Sequence, residues 1–321
     1  MNADTGTVPN EKEIERLRKV VKALQADENL SLKDIANESG IPPGTLSPWL
    51  DNTYGGNNAN VALRVQGWLD TRERSQLLQS TVPNVPDFRM TETSKRIIDA
   101  MEMAHLVGDI IVVGMGPGLG KTSSITQYEA TRPLVFVATM TPATRGVNTM
   151  LSTLCKAVGE TDNKGTPALL SDRVIARVRD KRALIVIDEA QHLSEQAFEQ
   201  IRAIHDTTGV GIAMLGNEDL YSMLDGTGRK SSFSQLTSRI GCRIRQSSAT
   251  ERDLEIIASA WDVEDEIVLA FIKKIGAYPG ALRGVTKTLR LANFLSPDDE
   301  MSLQTLRAAW SRVGSGVAGG A

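Results

Sequence analysis

The chain has 321 residues, of which 41% are hydrophobic and 23% charged, and a formal net charge of -3. Those proportions exclude wholesale disorder and a coiled coil, and the length leaves room for two or three domains. A pI near 5.8 excludes a chain-wide basic coat, so any nucleic-acid contact has to come from a local patch.

At the front, residues 11–26 carry Ile14, Leu17, Val20, Val21 and Leu24 at helical spacing. Ser31 is the expected N-cap of a second short helix, which runs through Leu32, Ile35 and Ala36 to a stop at Gly40. Ile41-Pro42-Pro43-Gly44 predicts a turn, Thr45 to Leu50 the start of a third helix, and residues 60–78 a fourth. The stretch from Ser31 to Leu50 resembles a helix-turn-helix of the phage-repressor type, with Ala36 at the tight helix contact and Gly40 in the turn. Its second helix would enter the major groove and offer Thr45, Ser47 and Asn52. That helix holds no arginine or lysine for guanine readout, which argues against strong base preference and leaves a protein-docking module as an equal alternative. Ser80 to Asp87 has two prolines and no period, and predicts a linker.

After residue 90 apolar strands alternate with helices: 110–113 then a helix from about 121, 134–138 then 147–158, 183–187 then 195–204, followed by 210–215 and 242–246. Such alternation implies a parallel sheet with crossover helices on its faces. Only helical patterns remain from about 250 to 312, and the glycine- and alanine-rich end from Gly314 is expected to be disordered.

Three strand ends carry chemistry. The first strand runs into Gly114-Met115-Gly116-Pro117-Gly118-Leu119-Gly120-Lys121-Thr122, a loop that opens a helix. In that context backbone amides and the helix N-terminus face anionic phosphate oxygens, Lys121 reaches the β and γ phosphates, and the Thr122 hydroxyl can ligate Mg²⁺. The usual pattern has its first glycine where this chain has Met115, while Gly114 stands one place early. Gly116 to Gly120 with Lys121, Thr122 and Asp188 form the expected binding set for ATP and Mg²⁺. The strand Ala183 to Ile187 ends in Asp188 and Glu189. Asp188 would hold the Mg²⁺ shell with Thr122, and Glu189 would polarise the attacking water. A third strand ends at Gly216-Asn217, where an amide can position the water beside the γ phosphate, although asparagine also suits a plain turn.

Together these segments resemble the AAA+ ATPase family over roughly residues 90–290. The resemblance implies an arginine that acts on the neighbouring subunit's γ phosphate. Within Gln235-Leu236-Thr237-Ser238-Arg239-Ile240 this is Arg239, with Arg243 and Arg245 as rivals. It also implies a second sensor on a helical lid, Arg283 in Pro279-Gly280-Ala281-Leu282-Arg283.

With the front domain, the proline linker, D-E-A-x-H and G-A-L-R, most of the chain, about residues 20–310, resembles the Mu B-type family of target-selection ATPases in DNA transposition. The expected fold class is α/β: an AAA+ core with a parallel sheet flanked by helices, a helical C-terminal lid and an N-terminal all-α helix-turn-helix domain. The expected boundaries are 1–82, linker 83–89, core 90–248, lid 249–313 and tail 314–321.

The resemblance implies an ATP-dependent helical homo-oligomer on double-stranded DNA, a transposase partner, and hydrolysis that releases DNA. Expected DNA contacts, by the same resemblance, are Arg145 and Asn148 after the second strand, and Lys164, Arg173 and Arg177 before the acid-pair strand; a solvated helix is the other reading of the last two. A helicase loader or replication initiator on the same plan, and a non-catalytic nucleotide-gated regulator, are the competing functions. Cys155 and Cys242 are expected to be buried thiols rather than a zinc site. The polar, acidic front and the lack of roughly 18 consecutive apolar residues lead us to expect a protein of the bacterial host cytoplasm, with no membrane partner.

Overall fold

The structure, a computed structural model, describes residues 9–28, 30–81, 86–224, 237–296 and 301–314. The tail beyond Gly314, the start of the expected linker, and Gln235 and Leu236 ahead of Arg239 lie outside the described residues. The chain divides into two compact units, Met1–Pro83 and Asn84–Ala321.

The first unit is all helical: α1 (Glu11–Asp27), α2 (Leu32–Ser39), α3 (Pro43–Leu50) and α4 (Asn58–Thr81). Ser31 caps α2 in a reciprocal box with Asp34, and Gly40 ends it in the left-handed conformation at φ 66°. The turn continues through Ile41 and Pro42 into α3, whose Leu46, Trp49 and Leu50 point into a core shared with Val21, Ile35, Ile41 and Val65. The indole of Trp49 donates to the Asn58 carbonyl at 3.2 Å, and the Arg18 guanidinium lies 5.1 Å above its ring.

The second unit contains a five-stranded parallel sheet in the order β2-β3-β4-β1-β5. Its strands are β1 (Ile110–Met115), β2 (Val135–Thr139), β3 (Leu184–Asp188), β4 (Gly211–Gly216) and β5 (Ile240–Gln246). The three inner strands are buried along their whole length, as a strand covered on both faces has to be. Successive side chains go to opposite faces. Ile110, Val112, Ile185, Ile187, Ile212 and Met214 pack under α7 (Val147–Ala157), α8 (Pro167–Val178) and α9 (Glu195–Thr208). Ile111, Val113, Val186, Ala213 and Leu215 pack under α5 (Glu92–Val107) and α6 (Lys121–Thr131).

A short helix, α10 (Asp219–Leu224), follows β4. The helices α11 (Glu251–Ser259), α12 (Glu266–Gly276), α13 (Ala281–Leu295) and α14 (Leu303–Val313) then form a separate core around Leu254, Ile272, Val285, Leu289 and Leu306. Every strand of a parallel sheet ends on the same side, so the loops after β1, β3 and β4 meet along one edge.

Candidate active site

Met115 is the last residue of β1, fully buried and in extended backbone, so this position has no need of a glycine. The early glycine has its own reason. A Cβ on Gly114 would stand 2.3 Å from the Tyr221 ring. The Tyr221 hydroxyl lies 2.9 Å from both the Val112 and Ile244 carbonyls, and the Arg245 guanidinium stacks 4.0 Å above the ring, which pins it there.

Beyond Met115 the loop is shaped by two left-handed glycines, Gly118 at φ 75° and Gly120 at φ 88°. Gly116 is forced by proximity instead, since a Cβ there would meet the Ser247 carbonyl at 2.4 Å. Gly120 also serves as the N-cap of α6 with no side chain accepting from the first turn, so these amides face the cleft.

Lys121 donates to the Met115 and Gly116 carbonyls at 2.8 and 3.0 Å, which places its ammonium in the mouth of the loop. Burial lowers its pKa, against the opposing pull of Glu189 and Asp188. Asp188, 4% exposed, accepts from the Thr122 hydroxyl at 3.3 Å and from the Glu189 amide at 3.0 Å. Its burial raises the carboxyl pKa despite those two donors. Glu189 has already left the strand, with a left-handed backbone at φ 56°, so the two acids project from different backbone conformations.

One cleft of about 600 Å³ is lined by Pro117 to Thr122, Glu189, Asn217 and Arg283. That size is in the range of roughly 300–1,000 Å³ usual for small-molecule sites. The lid meets the loop directly: the Arg283 amide donates to the Gly118 carbonyl at 3.2 Å, and a Cβ on Gly118 would lie 2.0 Å from the Gly280 carbonyl. Glycines that leave no room for a Cβ, a half-buried ammonium and a Thr122–Asp188 pair suit a polyphosphate with a divalent cation. Thr122 and Asp188 are the residues that would hold the cation.

Asn217 lines the cleft, and its side chain also makes a tight turn into α10, accepting from the Asp219 amide at 3.1 Å and donating to the Asp219 carboxylate at 2.9 Å. The structure thus gives Asn217 the turn role and a place at the cleft together. Sequence reasoning passed over Gln191, Trp261 and Lys287, which line the same cleft. Gln191 had one signal, its place two residues after Glu189.

Arg239 stands apart from this cleft. It precedes Ile240, which pairs with Ile110 at the start of β1, whereas Met115 at the other end of β1 pairs with Gln246. Six strand residues put it roughly 20 Å from the loop. Its guanidinium is bound to Asp206 at 2.5 Å, so Arg239 cannot serve its own copy's site.

The expected DNA contacts fall in three kinds of place. Arg145, Asn148 and Lys164 are exposed. Arg173 and Arg177 are engaged within the chain. Arg173 donates to the Asp162 and Lys164 carbonyls at 2.8 and 2.9 Å and pairs with the Asp162 carboxylate, while Arg177 pairs with Glu160 at 2.6 Å and donates to the Gly159 carbonyl. They brace the 159–164 loop that presents Lys164. In the first unit Thr45 and Ser47 are half-buried on α3, and Asn52 accepts from Arg18 at 2.7 Å. Cys155 is buried as expected, but Cys242 is only half-buried because β5 is an edge strand. Among the described residues, no helix is long and apolar enough to cross a membrane.

A family model described as an AAA domain matches residues 108–224, and one described as the C terminus of Mu B transposition protein matches residues 238–313. Among solved structures, a Walker-type ATPase of Pyrococcus abyssi is similar in fold, with a TM-score of 0.51 at 13% identity over 73% of this chain and 77% of that one. The ATP-dependent target DNA activator B of Escherichia phage Mu is 33% identical over 87% of this chain and 88% of its own length, and that of phage D108 matches to the same extent. The Mu-like prophage FluMu DNA transposition protein B of Haemophilus influenzae is 26% identical over 85% of this chain and 95% of its own. With a phosphate loop, an acid-ended strand and a lid arginine on one cleft, and these relatives along most of its length, the chain is an AAA-type ATPase that belongs to the Mu B transposition protein family.

Proposed function

We propose that this protein is an ATP-dependent activator of target DNA in transposition, which coats duplex DNA in its ATP form, delivers it to a transposase and leaves when ATP is cut. The observation that carries this reading is the convergence of Lys121, Thr122, Glu189 and Arg283 on a single cleft, with Asp188 bonded to Thr122 behind it, in a chain of the Mu B family.

Each residue has a task that its position supports. The loop amides from Gly116 to Gly120 and the Lys121 ammonium bind the phosphates. Asp188 and Thr122 hold Mg²⁺, which when bound neutralises charge developing on the phosphates. Glu189 orients the attacking water and takes its proton. Arg283 carries the state of the phosphates to the lid. Arg239, too far from its own loop, completes the cleft of a neighbouring copy, so nucleotide between copies makes the interface strong and hydrolysis weakens it. DNA is held through its phosphates by Arg145, Asn148 and Lys164 with little base preference.

Electron microscopy of the purified protein with duplex DNA, under ATP and then ADP, tests this directly. Filaments are expected under ATP alone, and Lys121→Ala is expected to abolish both nucleotide-dependent DNA binding and hydrolysis. Equal coating of DNA without nucleotide, or filaments formed by Lys121→Ala, would overturn the proposal.

A further inference from the structure

We infer that Gln191 is a positioning residue of the ATPase reaction, a two-sided amide that ties the tip of β4 to Glu189. The inference rests on the role proposed above for Glu189 and on the place of Asn217 in the same cleft. Gln191 sits in the short 3-10 turn Ala190–His192 that follows Glu189. Its Nε2 donates to Glu189 Oε2 at 2.5 Å, and its Oε1 accepts from the Asn217 amide at 3.2 Å. This is the one hydrogen bond of the Glu189 side chain among the described residues.

The strand has been cut to fit the amide: a Cβ on Gly216 would stand 2.4 Å from Gln191 Oε1. The chemistry at the two ends also selects the residue. A backbone N–H needs an acceptor and a carboxylate needs a donor, and a primary amide offers both from one terminus. Glutamate at this position would keep the acceptor but set a second carboxylate against Glu189. Leucine would keep the bulk and satisfy neither end.

The consequence is a link of two hydrogen bonds between the Asn217 backbone at the cleft and the residue proposed to act on water. Glu189 needs such a guide, since its left-handed backbone already places it outside the regular strand. With Gln191 on Oε2, the other carboxylate oxygen remains for the water. A shift of Asn217 at the strand tip moves the amide it donates to, and so re-aims the base.

A double-mutant cycle on the full-length protein tests the coupling, with Gln191→Leu, Glu189→Gln and the pair assayed by single-turnover hydrolysis of labelled ATP, together with the Kd of a fluorescent ATP analogue. For Gln191→Leu, kcat is expected to fall roughly tenfold, a part of the 10²–10⁴-fold that a positioned base contributes, with KM and Kd within about twofold of wild type. In the Glu189→Gln background the second change should cost nothing more. Gln191→Glu, nearly the same shape, checks that the loss does not come from misfolding; it should fall at least as far as Gln191→Leu. An equal loss in both backgrounds, a matching loss of nucleotide affinity, or full activity in Gln191→Glu would overturn the coupling. Wild-type turnover in Glu189→Gln would instead overturn the assignment of the base, and the two failures are told apart by which single variant shows them.

Discussion

At the scale of single residues, glycine is placed by what crowds it. Gly114 carries the Tyr221 ring against its α carbon, and that ring is held at both its hydroxyl and its face. Gly114→Ala should therefore cost about 1–3 kcal/mol through overpacking, read as a lower melting temperature, with nucleotide affinity changed much less than stability. The sequence pattern around Lys121 is readable because amides, ammonium and hydroxyl must lie in a row; the reason for the shifted glycine is not, because Tyr221 is 107 positions away (221 minus 114). Gln191 was hidden for the same reason. Its place two residues after Glu189 does not by itself separate a glutamine aimed at a cleft from one in solvent, and its partner Asn217 and the missing Cβ of Gly216 lie at the tip of another strand. Arg239→Ala should leave binding of a nucleotide analogue intact while abolishing hydrolysis. Mixing with the Lys121→Ala variant, which supplies an intact arginine but no working loop, should restore turnover at the Arg239→Ala cleft, as measured by phosphate release.

Among elements, the inner strands were legible because burial on both faces demands unbroken apolar runs such as Ile110 to Val113 and Leu184 to Ile187. Helix α5 was not assigned from sequence: its inward positions Ile97, Ala100, Met101 and Ala104 have helical spacing, but two of the four are alanines that add little to the pattern. What anchors α5 is equally invisible locally. Asp253 of α11, 0% exposed, accepts from the Thr93 amide at 3.0 Å, the Thr93 hydroxyl at 2.5 Å and the Thr250 amide at 3.2 Å. Burial works to raise its pKa, and the donors from Thr93 and Thr250 outweigh burial and hold it below the usual value. A depressed carboxyl stabilises the fold above its unfolded pKa, near 3.9, and that contribution is lost as pH falls through the folded value. Asp253→Asn should cost about 2 kcal/mol at neutral pH. In paired thermal melts the gap from wild type should hold above pH of about 5 and narrow below about 4.

For the whole molecule, the net charge of -3 means that the proposed DNA binding has to rest on a few exposed cations. Arg173 and Arg177 lie on one face of α8 because they are four residues apart, and both bond to the 159–164 loop. Two arginines expected either as DNA contacts or as a solvated face thus also brace the loop that carries Lys164. Lys164→Ala should weaken DNA binding evenly across sequences and reduce the slope of log affinity against log salt by about one contact's worth, ~0.9, in a salt titration. Arg173→Ala should instead loosen the loop, and so change affinity with a smaller change in slope.

The meeting of Gly118 with Gly280, backbone against backbone, has a mechanical corollary. Two backbone segments without side chains between them have no slack to absorb displacement, and the Arg283 amide is bolted to the Gly118 carbonyl. The four outer helices are therefore a lever whose short arm rests on the fuel. A displacement of these helices should thus reach the phosphate loop without anything entering the cleft.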